Sequence, residues 1–368
     1  MRITAIEPIP VSLPLKSTFS MSRGDYPVSD HVVVRMTTDA GIVGYGEAAV
    51  HTNSSEQTQA AAVAGIRDQL APALIGHDPR NVGRLHELMD KALLGNNYVK
   101  SAVDIAAYDI AGQALGVPVH TLLGGCYRDR IPLCRSIGIK GLKEVAGEAV
   151  DIVRTGFGMV KLKAGRDPQR DLDAVLAARK AIGDGVPIRV DANAGYTEAD
   201  VVLPVLRKME ELGVVIVEQP VSRWDLFGMA KVAAALRATV LADESLYTAE
   251  DGANLLRLRA ADAFNVKVQR AGGLYEAMKI VALAEASGTP MLVGGTLESG
   301  IGAAASVHMG AASRTLAYPC DCRTPLVYAE DLLDEPLRIE QGYVHIPQKP
   351  GLGVRPSEAK LKKYRTNR

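Results

Sequence analysis

Two lysines and three carboxylates define the chemistry open to this chain. Lys161 and Lys163 close the apolar run Met159 to Lys163, and on an extended segment two residues apart share one face. Alone, such a pair reads as strand-end charges reaching solvent, because lysine is almost never buried unpaired. The apolar runs that follow overturn that reading. They end in Asp191-Ala192-Asn193, Glu218-Gln219-Pro220, Asp243-Glu244-Ser245, Lys267 and Gly294-Gly295-Thr296-Leu297-Glu298. Carboxylates gathered at one mouth repel unless a cation joins them. Asp191, Glu218 and Asp243 offer only oxygen, which suits a hard ion with open octahedral positions, Mg²⁺ ahead of Mn²⁺. Lys163 and Lys267 would reach a metal-held substrate from opposite sides, and a nearby cation lowers a lysine's pKa toward that of a general base. The chemistry supported is removal of a proton next to a carboxylate, with the enediolate held on the metal.

These residues meet only if the runs are strands of one barrel. From Ile131 the chain repeats an apolar run, a polar tip and a helix. The runs are Ile131 to Ile137, Met159 to Lys163, Pro187 to Asp191, Val214 to Glu218, Thr239 to Asp243, Ala263 to Lys267, Met291 to Gly294 and Thr315 to Tyr318. Eight strands alternating with helices predict a closed (β/α) barrel, whose site lies at the strands' C-terminal ends. Asp167-Pro168 predicts a cap and first helical position, and Thr197 and Asp225 are expected to cap likewise.

Ahead of the barrel, Ile3 to Leu13, Asp30 to Thr38 and Gly44 to Ala49 read as antiparallel strands, the last two joined by a turn at Thr38 to Gly41. The polar stretch Lys16 to Asp30 reads as a long functional loop. Gln57 to Leu70, Val82 to Leu93 and Lys100 to Leu115 read as helices. A Val344-His345-Ile346 strand and a Pro350-Gly351-Leu352-Gly353 turn follow the barrel. The fold class is therefore α/β, with an α+β capping domain (1–128), a (β/α)7β-type TIM barrel (129–341) and a segment returning to the cap (342–368).

Composition narrows the partners. Lys plus Arg and Asp plus Glu are balanced at 42 each, so no overall field favours nucleic acid or an anionic membrane, and a small molecule is expected instead. Hydrophobic residues at 47% against 5% aromatic suit parallel strands packed by small-residue helices. Neither a basic-then-apolar leader nor an 18-residue apolar window is read, so a cytoplasmic protein is expected. Cys126, Cys134, Cys320 and Cys322 lack zinc-site spacing and are expected as free thiols. The glycines of Gly41 to Gly46 precede no helix, which argues against a dinucleotide site. None of the His residues ends a barrel run, and Trp224 reads as packing.

The chain resembles the enolase superfamily, muconate lactonizing enzyme subgroup, on Val-Lys-Leu-Lys at 160–163, the three acidic tips, Asn265-Val266-Lys267, the Gly294 to Gly302 stretch and Pro350 to Gly353; a Lys or His base with Mg²⁺ is that superfamily's known pairing. The resemblance implies Asp191, Glu218 and Asp243 as metal ligands and Lys163 and Lys267 as the acid/base pair. Lys161 would steady the substrate carboxylate and depress its neighbour's pKa. Asn193, Gln219 and Glu244 would support the ligands from behind, and Glu298 would be a charged pocket group. Ser20, Ser22 and Tyr26, with Val50-His51-Thr52, match the capping loops that select substrate. Mandelate-racemase-type members carry Lys-x-His at strand two, whereas position 163 is Lys here. Dipeptide epimerases carry Asp-x-Asp near strand eight. This chain has Asp321-Cys322-Arg323, with Asp321 as either a substrate contact or a turn cap. The implied activity is that of a Mg²⁺-dependent isomerase of muconate cycloisomerase type, expected as a homo-oligomer acting on a small carboxylate. A racemase or epimerase using both lysines is the alternative, and an acid-sugar or hydroxy-acid dehydratase comes third; a non-catalytic binding protein is disfavoured by the intact constellation.

Overall fold

Strand alternation carries further at the N-terminus than the polar composition suggests. The computed structural model describes residues 1–51, 57–322 and 326–367. In it β1 (Ile3–Met21) and β2 (Gly24–Thr38) form one long antiparallel hairpin, paired from Ile3↔Thr38 to Met21↔Gly24 across an irregularity between Pro14 and Phe19. The expected loop Lys16 to Asp30 is thus mostly strand. It is polar because the hairpin tip leaves the sheet and its side chains are largely exposed or half-buried. β3 (Val43–Ala49) completes the sheet after the Thr38 to Gly41 turn.

Helices α1 (Gln59–Ala64), α2 (Ala71–Leu74), α3 (Val82–Ala92) and α4 (Asn97–Leu115) follow, with a π-helical turn at Gly65–Leu70, and α5 (Val119–Leu122) leads to the barrel. α4 lies directly on β3. A Cβ at Gly46 would stand 1.9 Å from the Ala102 carbonyl oxygen, so only glycine permits that approach. The two faces of the hairpin serve different cores. Val32, Val34 and Met36 pack against the cap helices, whereas Ile9, Val11, Leu13 and Val33 are continuous with the core of the barrel.

The next strands are β4 (Arg130–Pro132) and β5 (Arg135–Ile137). The alternation continues as α6 (Leu142–Arg154), β6 (Val160–Lys163), α7 (Pro168–Ile182), β7 (Ile188–Asp191), α8 (Ala199–Glu211), β8 (Val214–Glu218), α9 (Leu226–Ala235), β9 (Thr239–Ala242) and α10 (Ala249–Leu258). β10 (Ala263–Val266), α11 (Val268–Ala271), α12 (Leu274–Ser287), β11 (Met291–Val293) and α13 (Gly300–Ala312) complete it. Among the described residues β5 to β11 form one parallel sheet in sequence order. Asp167 and Asp225 cap α7 and α9 as expected. Thr197 does not cap: the residue before α8 is Glu198, whose side chain makes no capping bond.

The expected eighth strand, Thr315 to Tyr318, is not a regular strand. It bridges β11 at Met291↔Leu316, and Cys320 bridges Leu133 beside β5. Its backbone therefore spans the seam between first and last strands and curls the sheet shut. β12 (Ile339–Glu340) then pairs with β13 (Tyr343–His345), which pairs with β4. Beyond them Gly351 bridges Pro118, Arg365 bridges Val11, and α14 (Glu358–Tyr364) presents Glu358 to Arg35 of the cap. No helix among the described residues is long and apolar enough to cross a membrane.

Candidate active site

Register brings the charged tips together. β6 pairs Lys163 with Asp191 of β7, and β7 pairs Asp191 with Glu218 of β8. Asp243 follows directly on β9 and Lys267 on β10. The turns beyond these tips are backbone-strained: Asn193, Ala194, Gln219 and Leu297 have φ of 46°, 58°, 37° and 62°. Non-glycine residues there are uncommon and gather at functional sites.

Every buried carboxylate at this mouth faces a cation of the chain. Lys161 Nζ stands 2.8 Å from Asp191 Oδ2, 2.8 Å from Glu218 Oε2 and 3.0 Å from Asp321 Oδ2. Lys163 donates to Asp191 Oδ2 at 2.6 Å and to Asn193 Oδ1 at 2.9 Å. Lys267 donates to Asp243 Oδ2 at 2.9 Å, and Arg270 donates to Asp243 Oδ1 at 2.6 Å. One layer lower, the fully buried Arg189 donates to Glu218 Oε2 at 2.8 Å and to Asp321 Oδ2 at 3.1 Å. Gln219 Oε1 accepts the backbone N–H groups of Asp243 and Ser245, and Asn265 donates to Glu218 Oε1 at 2.7 Å. Asn193 donates to Glu244, which also faces Arg23.

These contacts set the electrostatics. Burial opposes charge on Asp191, yet Lys161 and Lys163 hold its carboxyl well below the usual range. Asp243 is likewise held low, against burial, by Arg270 and Lys267. Burial, with Asp191 and Asp243 close by, pushes Glu218 up despite Arg189 and Lys161. Glu244 is pushed up to about 7 by burial and by Asp243. Burial and the neighbouring Lys161 hold Lys163 below the ordinary lysine range, although Asp191 pulls the other way. That is the direction a general base requires.

The same set has the chemistry of a hard-cation site. Among the described residues no three acidic, imidazole or thiolate groups converge as a metal cage in this arrangement. The Lys161 ammonium occupies the meeting point of Asp191 and Glu218 instead, a stand-in positive charge between two oxygen donors. Asn265 Oδ1 and Glu244 Oε2 are buried beside them with no hydrogen-bond partner. Three buried all-oxygen donors on adjacent strand ends fit Mg²⁺ better than any soft metal.

A cavity of about 80 Å³ opens over these groups, lined by Lys161, Lys163, Lys267, Asn193 and Glu244 from the barrel. The cap contributes His51 and, from the hairpin, Phe19, Met21 and Arg23. Ser20, Ser22 and Tyr26 do not line it. The hairpin turns alternate residues inward, so 19, 21 and 23 face the cavity and the serines face away. Ser22 instead donates to the Asn193 carbonyl, and Tyr26 packs edge-on against the His51 ring. Glu298 also lies off the cavity wall: its side chain turns back to accept the Thr296 N–H, while Gly295, Thr296 and Leu297 form the wall. Asp321 lines the cavity, with both oxygens already engaged by Lys161, Arg189 and Cys134. Thr52 and Arg323 lie outside the described residues. Trp224 is 78% exposed and carries Arg223 over its ring, so it is not packing.

Arg189, Asn265 and Arg270 have no role in the sequence reading, although Asn265 stands in the Asn265-Val266-Lys267 stretch. The first two carried a signal, since each sits two residues before a tip on the same strand face. Arg270 lies beyond the strand, where no two-residue period reaches.

Comparison with known proteins agrees with this geometry. The family model for the mandelate racemase / muconate lactonizing enzyme N-terminal domain matches residues 4–124, and that for the enolase C-terminal domain-like region matches 144–360. The chain is 32% identical to the N-succinyl-L-Arg/Lys racemase of Bacillus cereus over 98% of its own length and 97% of the relative's. It superposes on the muconate lactonizing enzyme of Pseudomonas fluorescens, solved with muconolactone, at a TM-score of 0.96, with 32% identity over 99% of each chain. It also superposes on a dipeptide epimerase from Cytophaga hutchinsonii, solved with Mg and D-Ala-L-Val, at 0.94, with 32% identity over 99% of this chain and 98% of that one. With isomerases among these relatives and both halves matched, the chain is an isomerase belonging to the enolase superfamily, in its mandelate racemase / muconate lactonizing enzyme subgroup.

Proposed function

We propose that this chain is a Mg²⁺-dependent isomerase of muconate cycloisomerase type, transferring a proton alpha to the carboxylate of a small substrate. The observation that carries the reading is the burial of Lys163 and Lys267 at one cavity, each held by a different carboxylate of the Asp191, Glu218, Asp243 set. Those three residues would hold the metal, with Mn²⁺ as its alternate. When bound, the cation supplies the charge that acidifies the proton next to a carboxylate. The Mg-bound epimerase among the relatives supports that choice.

The chain's own residues do the rest. Lys163 Nζ, depressed by burial and by Lys161, delivers or removes the alpha proton. Lys161 offers its ammonium to the substrate carboxylate. Asn193 orients Lys163 through its Oδ1, and Gln219 and Glu244 brace the ligands. Phe19, Met21 and Leu297 give the outer cavity an apolar wall that excludes water from the reacting carbon. Arg23 and His51 contribute its polar edge. Asp321, already engaged by Lys161 and Arg189, is poorly disposed to hold a substrate amine, which supports a substrate unlike a dipeptide. The reading takes 1–128 as the cap, 129–341 as the catalytic barrel and 342–368 as a tie between them. It also takes the enzyme as a cytoplasmic homo-oligomer; its free cysteines suit a reducing compartment.

One observation favours a second reading. Lys163 ends β6 and Lys267 follows β10, with three strands between them in the sheet. They reach the cavity from opposite flanks, as a racemase using both faces of one carbon requires. Incubation in deuterated water with Mg²⁺, using cis,cis-muconate and N-succinyl amino acids as probes, distinguishes them. Stereospecific label confined to the lactone is expected for cycloisomerisation. Label entering from both faces of an amino-acid derivative would transfer the assignment to racemisation, and absence of exchange with every probe would count against both.

A further inference from the structure

Outside the reacting groups, the cap carries two buried carboxylate–imidazole pairs that neither proton transfer nor metal binding uses. Glu47, the fifth residue of β3, is wholly buried. Its Oε1 accepts the Ser299 N–H at 2.7 Å, and its Oε2 accepts the Ser299 hydroxyl at 2.7 Å and the Gly302 N–H at 2.8 Å. His31 Nδ1 of β2 stands 2.6 Å from Oε1. All three donors belong to the start of α13, so a cap side chain satisfies orphan N–H groups of a barrel helix. Burial pushes the Glu47 carboxyl up, but His31 and the Ser299 donors outweigh it and hold the group below its ordinary value.

The hold extends to the cavity wall. His31 Nε2 meets the Tyr328 hydroxyl at 3.2 Å, and that hydroxyl donates to the Leu297 carbonyl, which Ser29 also reaches at 3.4 Å. His51 Nε2 lies 3.2 Å from the Thr296 carbonyl oxygen. Thr296 and Leu297 are cavity residues, and Leu297 holds a left-handed φ of 62° that needs outside support.

Asp104 on α4 repeats the device one strand earlier. Its carboxylate accepts Leu274 N at 2.5 Å and Tyr275 N at 3.2 Å, the first residues of α12, and faces His86 Nε2 at 2.8 Å. Gly273 permits the approach, because a Cβ there would lie 2.2 Å from Asp104 Cγ. The segment gripped leads straight back to Lys267 and Arg270, whose carbonyl oxygen also accepts Asn97 Nδ2 from the cap at 3.0 Å.

We propose that Glu47 and Asp104 are positioning residues: each cap carboxylate, backed by a histidine, grips the N-terminus of the barrel helix after strand seven or strand six. Glu47 thereby sets the Gly295 to Leu297 wall, and Asp104 sets the wall carrying Lys267 and Arg270. A carboxylate stripped of water is retained only where donors replace that water. The histidine of each pair lies in the cap, but the helix-start donors reach both carboxylates only with the cap docked. Glutamine at 47 would turn an N–H₂ group against N–H and O–H donors, whereas aspartate keeps the charge on a shorter arm.

Amide hydrogen exchange on the full-length protein with Mg²⁺ tests this without any substrate, so it stands apart from the isomerase reading. In Glu47→Gln, exchange at Thr296 to Gly302 is expected to rise on the order of tenfold while Leu274 and Tyr275 keep their protection. Asp104→Asn should do the reverse, and Ile188 to Asp191 should be unchanged in both. Glu47→Asp should restore part of the protection at Ser299. Should Glu47→Gln not fold, Ser299→Ala, which removes one donor, must loosen the same stretch to a smaller degree. With cis,cis-muconate as probe, Glu47→Gln should raise KM more than it lowers kcat, and Asp104→Asn the opposite. Loosening spread evenly over the barrel, or no change at either helix start, would overturn the proposal.

Discussion

The two lysines of β6 differ in what surrounds them, and the difference assigns their work. Lys161 meets Asp191, Glu218 and Asp321, and those charges raise it well above the ordinary lysine value against the pull of burial and Arg189. It stays protonated and serves as a fixed positive charge. Lys163 touches one carboxylate, and burial with the neighbouring Lys161 ammonium holds it low. Lys163→Ala is therefore expected to lower turnover by about 10²–10⁴-fold, the usual worth of a general base, while calorimetry still detects Mg²⁺ binding to Asp191, Glu218 and Asp243. Turnover near that of the parent would mean the proton moves elsewhere. The charged tips were readable in the sequence because a charge closing an apolar run is anomalous, and a repeated anomaly is informative. Ser20 and Ser22 follow from the position of their segment, read as a loop with no strand phase; as strand, it is Phe19, Met21 and Arg23 that carry the inward phase.

At the scale of elements, regular alternation was readable and irregular closure was not. Lys163, Asp191 and Glu218 lie in register across neighbouring strands, as the repeat of run, tip and helix implied. Thr315 to Tyr318 looked like one more such run, yet the chain there makes only single bridges on either side. Nor does local composition announce which helix ends are held by distant side chains. His308 on α13 is an example. It is fully buried, its Nδ1 accepts the His120 N–H at 3.3 Å, and its Nε2 lies 3.0 Å from the Leu352 carbonyl oxygen in the returning turn. Both bonds are made by the neutral ring protonated on Nε2; a second proton would set N–H against N–H. Burial accordingly lowers its pKa from 6.5 to about 4. A depressed base contributes stability that is present above 6.5 and lost as pH falls toward 4. By pH 4.5 the folded state should lose about 2–3 kcal/mol through this group alone. Denaturant titrations at pH 7 and 4.5 should show that loss in the parent and not in His308→Gln; equal acid sensitivity in both proteins would remove His308 from the account.

Across the whole molecule, cap and barrel share one core. Ile9, Val11, Leu13 and Val33 of the cap sheet pack into the barrel core, so separating the halves would expose apolar surface on both. The hairpin tip, Glu47 and Asp104 add polar ties, and the stretch after residue 341 closes the circuit. Val344, Ile346, Leu352 and Leu361 from that stretch are buried, while Leu352 N–H donates to Asp109 of α4 and Arg365 bridges β1. At about 1.5–3 kcal/mol for each such side chain, these four contribute roughly 6–12 kcal/mol, comparable with the about 5–15 kcal/mol that separates folded from unfolded domains. Calorimetry of the full chain is therefore expected to show a single transition, with van't Hoff and calorimetric enthalpies in agreement. A chain ending at residue 341 should lose that transition altogether rather than shed the cap alone. Two resolved transitions in the full chain, or a truncated barrel that still melts cooperatively, would mean that the shared core is not what holds the lid over the cavity.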